Sequence, residues 1–280
     1  MSEIWNDYLR TEPYWPSLVG QGDGVYILRI YEETPPPQEF AVAVGEWINH
    51  LRSALDYTVW ATAAHTSGRL PPPGEGQLQY PIYDSEKAWK SNLRRLDALA
   101  DHHRHMLHTM QPYNSDPDAN YLGWINEIAR CDRHRHLSRL AGYIAVLQPA
   151  LLTPAGCHAT LQWGERVIYD GHADAARITI APWDPSMEVE INPRMGIDPD
   201  IEAWSRSKFW SRFPFPDRVR VLQVFVSAEI ATYEYDATGT SRKQAVLTDA
   251  YRAASDARRD PTCRRRVKTG PPAPVEEWTT

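Results

Sequence analysis

The chain has 280 residues, of which 42% are hydrophobic and 24% charged, an ordinary composition for a soluble globular protein. Mean hydropathy is -0.53, and no apolar run approaches the ~20 residues that a membrane span needs. The net charge of -6 argues against nucleic-acid binding driven by overall field alone. Its three cysteines, Cys131, Cys157 and Cys263, are far apart and form no CxxC pair. That pattern suggests neither a disulfide framework nor a thiolate zinc site, and fits a reducing cytoplasm. Residues 1–10 carry no basic-then-apolar leader.

In chain order, residues 1–22 read as irregular, because Pro13, Pro16 and two glycines interrupt them. Residues 24–33 (GVYILRIYEE) alternate as a strand does, and Pro35, Pro36 and Pro37 end it. The spacing of Val44, Ile48, Leu51, Leu55, Val59 and Thr62 predicts a long helix over 39–66 with one apolar stripe. A Pro- and Gly-rich loop follows over 68–76, then a short extended piece at Tyr80, Pro81 and Ile82. A second helix is predicted over 85–110 with Ser85 as N-cap, and a third over 118–147. Residues 157–163, 176–182, 187–192 and 218–235 show β-type alternation, and the early strand could join their sheet. A last helix is predicted over 241–259 and a mobile tail over 261–280.

The expected fold class is therefore α+β. An N-terminal antiparallel bundle of three long helices precedes a C-terminal antiparallel β-sheet and a final helix. The units fall at 1–38, 39–150, 151–260 and 261–280. The eleven tryptophans are too scattered for a base-stacking platform and read as core and boundary fillers.

Two polar strings interrupt the helical sequence, residues 49–56 (NHLRSALD) and 132–135 (DRHR). Charge on an inward helix face is costly unless it is paired. On the first helix Asn49, Arg52 and Asp56 form a ridge beside the apolar stripe, with His50 farther round near Glu46. On the third, the stripe of Tyr121, Ile125 and Ile128 runs on into Asp132, Arg135 and Arg139, with His134 on the flank near Glu127. Antiparallel packing would pair Arg52 with Asp132 and Asp56 with Arg135. Such groups build either a polar lock or a site.

These strings, together with Tyr80-Pro81-Ile82, Gln111-Pro112-Tyr113 and Glu127, resemble in order and combination a group of uncharacterised bacterial proteins. Its members carry a "HNLRSALDH"-like helix, "FPI", "LQPY" and "NxxDKHR". The chain has Asn49-His50 where the group has His-Asn, Tyr80 for Phe and Arg133 for Lys. The resemblance covers roughly residues 24–150 and implies no reaction. A fainter resemblance is to HEPN-type helical ribonucleases, which place an Arg and a His four to six residues apart near a helix end. Arg130 and His136 meet that spacing, but lie ~120° apart on a regular helix. His134 and Arg135 are better placed.

That resemblance implies a metal-independent endoribonuclease or RNA-binding protein of the defence type. Its catalytic group would be His134, Arg135, Asp132, Arg52 and Asp56, with Asn49, His50 and Glu127 binding ligand. The alternative is a non-catalytic module that binds a small anion or a protein, its Arg/Asp network being structural. The partners expected are RNA or a small anion, with no membrane and a homodimer allowed. No GxGxxG, P-loop, HExxH or GxSxG pattern is present, so no cofactor is expected. The histidine-rich stretch His102, His103, His105 and His108 reads as a solvated helix end rather than a metal site, although Asp101, His105 and His108 share a face. The basic stretch Arg258-Arg259 and Arg264-Arg265-Arg266 reads as a solvated terminus.

Overall fold

A computed structural model describes residues 1–116, 119–134, 140–153, 155–201, 204 and 213–239, with backbone alone for 131–134. The elements are α1 (Ser2–Leu9), β1 (Tyr14–Gly22), β2 (Val25–Glu32), α2 (Gln38–Ser67), α3 (Glu86–Asn92), α4 (Asp101–Thr109), α5 (Tyr121–His134), β3 (Leu140–Leu152), β4 (His158–Trp163), β5 (Val167–Ile168), β6 (His172–Ala181), β7 (Glu190–Ile201) and α6 (Phe215–Thr238). The fold mixes α and β. One antiparallel sheet has the order β1-β2-β6-β4, and a second has the order β5-β3-β7.

The long helix α2 forms as its stripe predicts. Val44, Ile48, Leu55 and Val59 are fully buried, and Gly68 ends the helix in the left-handed region. The strand predicted at 24–33 is β2. It pairs with β6, so the early segment does join the later sheet. Its hairpin with β1 turns through Gly22, Asp23 and Gly24, all at positive φ. At Gly24 a Cβ would sit 2.5 Å from the Ile180 carbonyl oxygen, so only glycine fits both the turn and the neighbouring strand.

Four sequence expectations are corrected. Residues 1–22 are not irregular but form α1 and β1. Pro16 is tolerated because β1 lies at the edge of its sheet. The helix predicted over 85–110 is capped by Ser85 as expected, whose Oγ accepts from the Ala88 N–H, but it breaks into α3, a 3₁₀ turn at Leu93–Leu96, and α4. The helix predicted over 118–147 is described as α5 over Tyr121–His134, and Leu140–Leu152 is not helix but strand β3, held along its length by β7. Residues 218–235 are helix, not strand. The second of the three predicted long helices is therefore not one piece, since α3 has 7 residues and α4 has 9. The helix predicted at 241–259 and the tail at 261–280 lie outside the described residues.

The predicted boundary at 150 cuts β3. A single apolar core runs across it, from Phe40 and Ile48 through Ile125 to Ile178, Trp204 and Leu222. Helices α5 and α6 both pack on α2. Trp5, Trp89, Trp124 and Trp204 are buried core members, in line with their reading as fillers. Against Trp204 lies a fully buried ion pair, Arg218 on α6 with Asp200 on β7.

Candidate functional site

The site begins with one helical turn of α2. Arg52 and Asp56, four residues apart, face the same way and pair at 2.8 Å. The Arg52 side chain is only 10% exposed, against 31% for Asp56. Both also grip one residue of the neighbouring extended segment. Arg52 Nη2 donates to the Tyr80 carbonyl oxygen at 2.7 Å. The Tyr80 N–H donates to Asp56 Oδ1 at 2.8 Å. A guanidinium and a carboxylate thus satisfy both peptide groups of a residue that belongs to no sheet.

The next residues of that segment are held from the other side. Gln111, fully buried, accepts from the Tyr83 N–H at 3.0 Å and donates to the Pro81 carbonyl at 2.9 Å and the Leu107 carbonyl at 2.8 Å. Three of the strings singled out in the sequence therefore converge. The Arg52–Asp56 turn and Gln111 clamp the Tyr80-Pro81-Ile82 segment between them.

The Tyr80 ring carries the clamp into the core. Its hydroxyl donates to Glu229 Oε2 at 2.8 Å, and its ring lies 6.5 Å from that of Tyr233 on α6. Burial pushes the Glu229 carboxyl above its ordinary 4.5, although the Tyr80 hydroxyl bond pulls it back. The folded chain then holds that proton more tightly than the unfolded chain does. The stability this contributes is complete below pH 4.5 and is lost as pH rises through the raised value. Glu229→Gln keeps the hydrogen-bond acceptor and removes the titration. The expected result is a variant that gains melting temperature relative to wild type as pH is raised from 4.5 toward neutrality. Melting curves across that range check it, and parallel curves would refute it.

Outside the clamp lies a polar cleft of about 240 Å³. Its floor is Arg52, Asp56 and the segment from Tyr80 to Tyr83. Its rim includes Arg95, after α3, and Asn126 and Arg130 on α5. Arg95 and Arg130 are exposed. Among the described lining side chains there are three guanidinium groups and a single carboxylate, so the cleft favours an anion. Burial raises the Tyr83 hydroxyl, while Arg95 and Arg52 draw it down, which places both cations near that ring. A second groove shares Asn126 and Arg130 and adds Glu127 and Asp84.

The structure brings Arg52 and Asp56 together as a pair on one helix, with Asn49 half-buried one turn earlier. His50 points to solvent on another face of α2. Glu127 is half-buried in the neighbouring groove. The side chains of Asp132 and His134, and all of Arg135, Arg139 and His136, lie outside the described residues, as do the predicted contacts of Arg52 with Asp132 and of Asp56 with Arg135. Arg95 and Asn126 were missed in the sequence. Arg95 gave no signal, because it lies far along the chain from the polar strings.

The histidine stretch also rearranges. Asp101 pairs with Arg104, and His108 lies against the rings of Trp89 and Tyr113. His102 and His103 instead meet Asp236, near the end of α6. Comparison with protein-family models, with curated proteins and with solved structures finds no match. No helix among the described residues is long and apolar enough to cross a membrane.

Proposed function

We propose that the chain binds a phosphate-bearing ligand in the cleft between α2, the Tyr80–Tyr83 segment and α5, with RNA as the ligand class. The observation that carries this reading is the placement of arginines. Arg52 is buried and held in one orientation by Asp56 and the Tyr80 carbonyl, while Arg95 and Arg130 stand exposed on the rim. A guanidinium fixed in advance loses little freedom on meeting a phosphate oxygen. The cleft volume is smaller than the ~300–1,000 Å³ of a drug-sized pocket. It suits one phosphate and its sugar rather than a whole folded ligand. The HEPN resemblance supports RNA over a free small anion. Cleavage would belong to this reading through His134 as general acid/base, with Asp132 and Arg135 beside it.

A second reading is a non-catalytic module whose Arg52–Asp56 network is structural. The hydrogen bonds of both residues to Tyr80 favour it. Binding of a labelled single-stranded RNA, competed by pyrophosphate in EDTA, separates the two. The first reading expects Arg95→Ala/Arg130→Ala to weaken RNA binding at least about tenfold, with a shallower dependence on salt. Its melting should be near that of wild type, because both residues are exposed. Equal binding by wild type and variant would defeat this reading. RNA breakdown unchanged in His134→Ala would remove His134 from any cleavage.

A further inference from the structure

The structure assigns a second, separate site: His102, His103 and Asp236 form a three-ligand centre for a divalent transition ion, best suited to zinc, that clips the start of α4 to the end of α6. His102 Nε2 and His103 Nε2 lie 2.7 and 2.8 Å from the same carboxylate oxygen, Asp236 Oδ2. All three donor atoms lie within 4.8 Å of one another. Two imidazole nitrogens aimed at one carboxylate oxygen make a set of the kind zinc takes: two nitrogens, one oxygen and a fourth position for water.

The state of His103 separates this centre from a plain surface contact. Its side chain is 3% exposed, its Nε2 lies 2.8 Å from Asp236 Oδ2, and its Nδ1 makes no hydrogen bond within the described residues. A buried ring nitrogen ordinarily has a hydrogen-bond partner. Adjacent residues of a helix rarely point the same way. Here the His102 and His103 rings lie 4.0 Å apart, gathered toward one point.

The fit requires only a small adjustment. Zinc bonds of ~2.0–2.2 Å at tetrahedral angles place ligand atoms roughly 3.3 Å apart. The nitrogens must therefore retreat from the oxygen by about half an ångström. His102 is 60% exposed and Asp236 is 37% exposed, so both have room to move while His103 stays fixed in the core. Asp236 lies 134 residues from His102, which explains why the sequence showed histidines without a centre.

The test uses the full chain, stripped with EDTA and titrated with Zn²⁺ in a non-chelating buffer. Metal content and melting temperature are read together. Wild type is expected to retain one Zn²⁺ that His102→Ala/Asp236→Asn does not, and to melt higher with Zn²⁺ than without. The single variant Asp236→Asn, which keeps the shape of the side chain, should weaken Zn²⁺ binding by roughly 10–100-fold or more. His103→Ala is avoided because it would open a hole in the core. If wild type keeps no more Zn²⁺ than the double variant, or gains no melting temperature that the variant lacks, the proposal is overturned. Asp236 is then simply a hydrogen-bond partner of His102.

Discussion

Asp200→Ala is expected to lower the melting temperature by roughly 10 °C, through a loss of about 3–5 kcal/mol at ~2–4 °C for each kcal/mol in a chain of this class. Asp200 and Arg218 are both 0% exposed, so water cannot take over the role of a missing partner. The Arg218 guanidinium also donates through Nε to the Phe213 carbonyl at 2.7 Å and lies over the rings of Tyr143 and Trp204. Asp200 accepts in addition from the Ile201 N–H at 2.9 Å. Burial pushes the Asp200 carboxyl upward, and Arg218 draws it back. Removing Asp200 leaves a cation buried among aromatic rings without its ion-pair partner, and the half-buried Asp198 nearby only partly replaces it. Replacing both members together, as in Asp200→Leu/Arg218→Met, should cost less than the single change, since no orphaned charge remains. A single variant that melts within about 2 °C of wild type would show that the pair contributes little.

The second large effect is at Arg52. Arg52→Met removes the donor to the Tyr80 carbonyl and the partner of Asp56 in one step. The expected loss is about 2–3 kcal/mol, below the figure for Asp200 because Asp56 keeps contact with solvent and with the Tyr80 N–H. Arg52→Lys should recover less than half of that. One ammonium cannot present the planar fork that reaches a carbonyl and a carboxylate together. Urea unfolding of the three proteins checks the order. Equal stability of Lys and Arg at this position would contradict the clamp geometry. The same variants separate structure from binding, since Arg95→Ala should impair binding of the anion without this loss.

Much of the fold was legible in the chain. The α2 stripe, the β2 alternation and the Ser85 cap each follow from local rules that the tertiary structure respects. The misreadings have physical causes. Residues 140–147 combine Leu, Ala, Tyr and Ile in an order that suits a helix as well as a strand. Pairing with β7 along the whole segment decides for the strand, and no local rule reports that partner. Residues 218–235 carry four valines, Ile230, Thr232 and two tyrosines, which favour strands. Yet the buried members Phe215, Arg218, Leu222, Val226 and Tyr233 recur at three-, four- and seven-residue steps. Pro216 stands within the first turn and Gly239 just past the last, so the helical signals were present but outweighed by β-branched content. The break between α3 and α4 has no Pro or Gly to announce it, and nothing local explains it.

The candidate site was half legible. Charge on a buried helix edge drew attention to Arg52 and Asp56, and both are indeed part of a lock. A partner that both share is the backbone of Tyr80, which leaves no side-chain signature. The same limit hid Gln111, whose amide satisfies peptide groups rather than charges, and Arg95, which reaches the cleft only through the folding of α3 against the clamp. Asp236 was invisible as a partner of His102 for the same reason, distance along the chain.

The most direct measurement is a crystal structure of the chain grown with pyrophosphate. The account predicts one anion in the cleft, with oxygens within hydrogen-bond distance of Arg52, Arg95 and Arg130. Pyrophosphate bound elsewhere while the cleft holds none, or arginines turned away from an anion that does enter, would contradict it.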